Sequence, residues 1–153
     1  MNRPFPALLL LLLAGCPTAS IHVPAMEMRL AASPALPRVG DTLRLTATLA
    51  NPHAEPIEVE ARCDPPVTFS VGTADRGRTA HQTSESWPCG VDGPRFRIAP
   101  GDSVRFMDSW VADGDGAFTV TAAIGEHYVV RGGKREFKNG HAFAPVTVRV
   151  APR

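Results

Sequence analysis

The chain lacks an excess of charge of either sign: 16 Lys and Arg stand against 15 Asp and Glu, a net charge of +1 with histidine neutral. Proteins that hold nucleic acid by its phosphates need a basic surface, so no nucleic-acid partner is expected. No run approaches the roughly 20 apolar residues of a membrane-spanning helix, and no stretch carries the 3.6-residue period of an amphipathic helix. The G-x-S-x-G, H-E-x-x-H and C-x-x-C patterns, which mark a serine hydrolase, a zinc protease and a dithiol redox site, are also missing. The five histidines, His22, His53, His81, His127 and His141, fall in segments that read as tether, turn or hairpin. They read as surface side chains rather than as positioned bases. The sequence therefore predicts no catalytic residue, no resident metal and no cofactor, and a protein that is not an enzyme.

What is present begins with LLLLLLAGC, residues 8 to 16. It follows Met1-Asn2-Arg3, a short positive segment, and ends in small residues, the order of a secretory leader. Leu13-Ala14-Gly15-Cys16 resembles the lipobox of bacterial lipoproteins. That resemblance implies acylation of the Cys16 sulfur and cleavage before it. Each buried methylene contributes roughly 0.8 kcal/mol, so two or three acyl chains anchor stably where one anchors marginally. Pro17, not Asp, follows the cysteine; in Gram-negative lipoproteins of the enterobacterial type this implies the outer membrane. Residues 1–15 read as the leader, 16–24 as a lipidated tether and 25–153 as one domain, expected to be monomeric and exported to the cell envelope. Of the three cysteines, Cys63 and Cys89 remain after the anchor. An even pair in an oxidising compartment predicts a Cys63–Cys89 disulfide, contributing roughly 3–4 kcal/mol in the chain-entropy description.

Beyond the tether the period is two. Met26, Met28 and Leu30 alternate with charged residues; Leu43 to Leu49, Ile57 to Cys63, Val67 to Val71, Phe96 to Ile98, Val104 to Phe106, Phe118 to Ile124 and Val146 to Val150 alternate likewise. Such runs are half-buried strands with one wet face. Val39-Gly40-Asp41, Asn51-Pro52, Asp64-Pro65-Pro66, Ala99-Pro100-Gly101-Asp102 and Asp113-Gly114-Asp115-Gly116 punctuate them as turns. The expected fold is all-β, an immunoglobulin-like antiparallel β-sandwich of seven to eight strands.

The order of these signals is similar to one family. LRLTATLANPHAEPIEV (Leu43 to Val59), IAPGDSVRFMDSW (Ile98 to Trp110) and GAFTVTAAI (Gly116 to Ile124) resemble the strand–Asn-Pro–strand opening, the Pro-Gly turn with its tryptophan, and the later Gly-x-Tyr strand of the BsuPI family, intracellular proteinase inhibitor-like domains. Phe118 stands where that family usually has tyrosine. The resemblance covers roughly residues 40 to 125. It implies the immunoglobulin-like sandwich and, through the family's founding activity, proteinase inhibition. Fold transfers across such distances better than activity does.

Two segments interrupt the rhythm and supply the candidate sites. Gly72 to Pro94 is polar and without clear alternation; it carries His81, Trp87 and Pro88 beside Cys89, and long structureless segments in compact domains are often binding loops. Trp87 also fits a side chain folded back over the sandwich edge. His127 to Gly140 reads as a protruding hairpin about Gly132-Gly133, with Arg131, Lys134, Arg135 and Lys138 near its tip, either an anion-binding patch or a solubilising one. Met26 and Met28 on one strand, with His22 nearby, have the soft ligands of Cu(I), although alternating methionines usually fill a core. The expected function is a membrane-anchored, non-catalytic module that binds an envelope or secreted protein, a protease among them. A BsuPI-type inhibitor is the alternative, followed by a copper-binding envelope protein.

Overall fold

Leucine at every second position, separated by threonine and arginine, gives a strand that dries one face and wets the other. In the computed structural model, which describes residues 26–73, 77–83, 88–90 and 92–153, this stretch is β2, Thr42–Ala50, with Leu43, Leu45, Ala47 and Leu49 fully buried. Among the described residues the chain forms twelve strands and no helix. The others are β1 Glu27–Ser33, β3 Ile57–Ala61, β4 Val67–Thr73, β5 Thr79–Gln82, β6 Arg95–Ile98, β7 Ser103–Val111, β8 Gly116–Ile124, β9 His127–Arg131, β10 Lys134–Lys138, β11 His141–Ala142 and β12 Val146–Val150.

All pairings between these strands are antiparallel. One sheet has the order β1-β2-β7, a second β10-β9-β3-β6, and a third β11-β8-β4-β5 with β12 also on β8. The second and third sheets share their central chain runs, because β3 leads into β4 and β8 leads into β9. Across the bend the backbone stays paired: Arg62 N–H donates to Glu126 O at 2.8 Å and Gly125 N–H to Pro66 O at 3.0 Å. The described strands outnumber the seven to eight read from the sequence. The surplus comes from the two interrupting segments and from β11.

The main core lies between the first sheet and the third. Leu43, Leu45 and Leu49 meet Val67, Phe69, Val71, Val120, Ile124 and Val148. Complete burial of each such side chain contributes about 1.5–3 kcal/mol. Trp110 is buried and lies with its ring centroid 4.8 Å from that of Phe118. Phe118, itself buried, thus packs by its ring. A smaller cluster of Ile57, Val59 and Val129 fills the inner side of the second sheet, with Met26 and Phe96 against it. Met26 and Met28 both pack against the core. His22 lies outside the described residues.

Two readings need correction. Gly72 to Pro94 is not structureless: Thr79–Gln82 pairs with β4, with a register shift at Val71/Gly72. Four short residues with a broken register leave no period to read. His127 is not on the surface. It is 1% exposed, because β9 pairs with β3 on one side and β10 on the other. The first arm of the supposed protrusion is therefore an inner strand.

Candidate functional site

The second sheet turns one face to the small core and the other to solvent. Since Ile57, Val59 and Ala61 are buried on β3, alternation sends Glu58, Glu60 and Arg62 outward. Since His127 and Val129 are buried on β9, Tyr128 and Val130 follow them outward. Gly132 and Gly133, with φ of 54° and 73°, form the two-residue turn whose left-handed backbone suits glycine. That turn fixes Arg131 opposite Lys134 and Tyr128 opposite Phe137. Pairing with β3 sets Tyr128 beside Glu60, and β6 sets Arg95 on Glu60's other side.

The chain's one tyrosine is thereby placed at the centre of a cationic and aromatic face. The Arg135 guanidinium lies over the Tyr128 ring, 3.6 Å from its centroid. It also donates to Glu60 Oε2 from Nε at 2.9 Å and from Nη2 at 2.6 Å. Phe137 meets the same ring edge-on at 5.3 Å and remains 44% exposed. Arg62 also approaches the ring, with Cζ 5.9 Å from its centroid. Arg95 Nη1 stands 3.8 Å from Glu60 Oε1. With Arg97 opposite Glu58, this face holds more arginine than glutamate.

The disulfide is where the sequence placed it: Cys63 is bonded to Cys89. Asp64 N–H donates to Pro88 O at 3.2 Å, and Arg62 Nη2 donates to Gly90 O at 3.0 Å. The end of the first interrupting segment thus borders the tyrosine face, with Pro88 exposed at its rim. Gly93 runs so close beneath that a Cβ would stand 2.8 Å from Ala61 O and 2.9 Å from Cys63 O. Cys16 and Trp87 lie outside the described residues.

The remaining candidates are distributed by the pleat. Arg135 belongs to the tyrosine face, whereas Lys134, Glu136 and Lys138 point to the other side of β10. Arg131 Nε lies 3.4 Å from Glu55 Oε2, and Lys138 pairs with Glu136. The four cations of the hairpin are therefore not one cluster. His81 sits on β5 and is tied to β7: its Nε2 is 2.7 Å from Asp108 Oδ2. Thr83 Oγ1 donates to the same oxygen at 2.7 Å and accepts Phe69 N–H at 2.8 Å. Burial opposes ionisation of Asp108, but the hydrogen bonds from His81, Thr83 and the Ser109 N–H outweigh it and hold the carboxyl below its ordinary range. This arrangement clasps an edge of the third sheet to an edge of the first. Among the described residues no group of three or more His, Cys, Asp or Glu side chains is placed to hold a metal ion, and no helix is long and apolar enough to cross a membrane.

The sequence separately marked the Cys89 segment and Arg135; the fold brings them to one surface. Arg62, Glu60, Tyr128 and Phe137 were not singled out. Tyr128 and Phe137 could have been found by counting outward from the Gly132-Gly133 turn. Glu60 and Arg62 could not, because the pairing of β3 with β9 is long-range.

No protein-family model and no curated protein matches the chain. Solved structures similar to it include two structural-genomics targets. One is 13% identical, with a TM-score of 0.48 over 82% of this chain and 87% of that one. The other, from Bordetella pertussis, is 14% identical, with a TM-score of 0.48 over 82% of this chain and 95% of that one. A Pseudomonas fluorescens alkylpurine DNA glycosylase, solved with DNA containing an abasic site analog, is 12% identical with a TM-score of 0.41; the match covers 82% of this chain and 30% of the glycosylase.

Proposed function

We propose that this protein is a lipid-anchored, non-catalytic binding module of the bacterial cell envelope, an immunoglobulin-like antiparallel sandwich that engages a protein partner as a monomer. The lipobox-like Leu13-Ala14-Gly15-Cys16 supports the anchor, and the BsuPI-like order of strands and turns supports the sandwich. The observation that carries the binding reading is Tyr128, with Arg135 stacked on it and Phe137 exposed beside it. Tyrosine, arginine and phenylalanine are enriched at interface centres, where rigid rings and a planar cation contribute contact area at low entropic cost. The ion pairs with Glu60 hold the face in shape before any partner arrives.

Proteinase inhibition is the second reading. It is favoured by Pro88, exposed beside a disulfide-bonded cysteine at the rim of the same face. Capture from the solubilised native envelope, with the mature chain as bait, tests both. A partner retained by the unmodified chain and by a Thr121→Ser control, but lost by Tyr128→Ala with Phe137→Ser, supports binding at this face. Retention by all three moves binding elsewhere. A captured protease that is inhibited on titration promotes the second reading.

A further inference from the structure

The outer face of the β1-β2-β7 sheet is the second charged surface of the molecule, and it differs from the first. Alternation places Arg29, Arg44 and Arg105 on it with one carboxylate, Glu27. Glu27 pairs with Arg29 at 2.7 Å. Arg44 and Arg105 are exposed and have no carboxylate partner among the described residues. The strand register sets Arg29, Thr48 and Arg105 in one row across the sheet, and Thr46 beside Met107 in the next. A shallow depression covers this row and the adjacent row of Glu27, Ala50 and Ser103, with the Thr48 hydroxyl between the two arginines. On the same face Met107 is 67% exposed and Val111 54%. On the tyrosine face, by contrast, Arg62, Arg95 and Arg135 are already engaged and Arg97 stands opposite Glu58 in the strand register.

The position of this sheet in the chain selects its occupant. β1 begins at Glu27, and residues Pro17 to Met26 separate it from Cys16. Fully extended, that stretch spans at most about 36 Å. We propose that this face docks on the anionic headgroups of the membrane that holds the Cys16 lipid, with the arginines and hydroxyls on phosphate and Met107 at the acyl boundary. The proposal rests on the lipid-anchor reading. It gives the domain a preferred orientation: the first sheet toward the lipid, the tyrosine face free on another sheet. Arginine suits phosphate through its planar fork of donors, and such attraction falls off within a Debye length of about 8 Å at physiological salt.

The test uses the mature lipidated chain with an environment-sensitive fluorescent amino acid at Met107. It is reconstituted on vesicles of phosphatidylcholine alone, or with an equal share of phosphatidylglycerol, each containing brominated acyl chains as quencher. Flotation reports the anchor and quenching reports the docked face. The expected result is flotation with both vesicles and quenching on the anionic ones only, relieved by high salt. Arg44→Glu with Arg105→Glu is expected to shift the docked-to-free ratio more than about tenfold toward free. The salt response of the labelled chain with its arginines intact needs no charge-reversed variant, so the test survives misfolding of that variant. Flotation with unquenched label on the anionic vesicles overturns the docking while the anchor stands, and leaves the face to an acidic protein. Equal quenching on neutral vesicles overturns the charge basis. Failure to float on neutral vesicles overturns the anchor reading, and the docking with it.

Discussion

The guanidinium of Arg135 lies 3.6 Å over the centroid of the Tyr128 ring while two of its nitrogens reach Glu60 Oε2. A single side chain thus joins β10, β9 and β3 on their solvent face. The stacking orients the cation, and the carboxylate keeps it there. A face built this way is rigid without being buried, which suits recognition.

Removing that side chain should be felt, though not severely. Exposed cation–π contacts contribute about 0.5–1 kcal/mol and exposed ion pairs about 0.2–1 kcal/mol. Arg135→Ala is therefore expected to destabilise the fold by about 1 kcal/mol in urea denaturation. Arg135→Lys should recover only part, because a point charge cannot both stack and fork.

The clasp of His81 and Thr83 on Asp108 predicts an acid-sensitive contribution. A carboxyl whose folded pKa is depressed stabilises the fold above its unfolded value and loses that contribution as pH falls through the folded value. The effect of Asp108 is thus complete above about pH 4 and decays below it. Asp108→Asn should cost about 1–3 kcal/mol at pH 7 and lose its penalty relative to the unmodified chain as pH falls below that window. Denaturant midpoints across pH read both effects.

Asn51 carries the turn between β2 and β3 and is 1% exposed. Its Nδ2 donates to Glu55 O at 2.8 Å and Ile98 O at 3.1 Å, and its Oδ1 accepts His53 N–H at 3.0 Å. Asn51→Ala would leave these backbone groups without their partner. A loss of about 1–3 kcal/mol is expected, read as a lowered thermal midpoint with the Cys63–Cys89 bond intact.

His127 should make the fold weaken in mild acid. Burial holds its ring below the ordinary histidine value; the Gly125 carbonyl at 2.8 Å opposes this, while His141 and Lys138 add to it. The unfolded chain then binds the proton first, so stability falls as pH drops below about 6.5. Denaturant midpoints between about pH 5 and 7 should rise with pH, and His127→Gln should flatten that slope.

Legibility followed the range of the interaction. Alternation in Leu43 to Leu49 and Phe118 to Ile124 is local, and both became buried strand faces. Cysteine parity was enough for the disulfide. His127 was misplaced because its ring is satisfied by a carbonyl two residues away, which no periodicity announces. β5 was missed because Thr79–Gln82 is short and its register broken. The tyrosine face was legible by half: the hairpin supplies Tyr128, Arg135 and Phe137, while Glu60 is 75 residues from Arg135 and meets it only through the fold.

The most direct measurement places a photo-crosslinking amino acid at Phe137, and separately at Thr121 on the outer side of β8, in the mature chain in its native envelope. The account predicts a discrete protein adduct from Phe137, absent from Thr121 and lost with Tyr128→Ala in a variant that keeps its disulfide and thermal transition. Equal adducts from both positions, or an adduct from Thr121 alone, would contradict it.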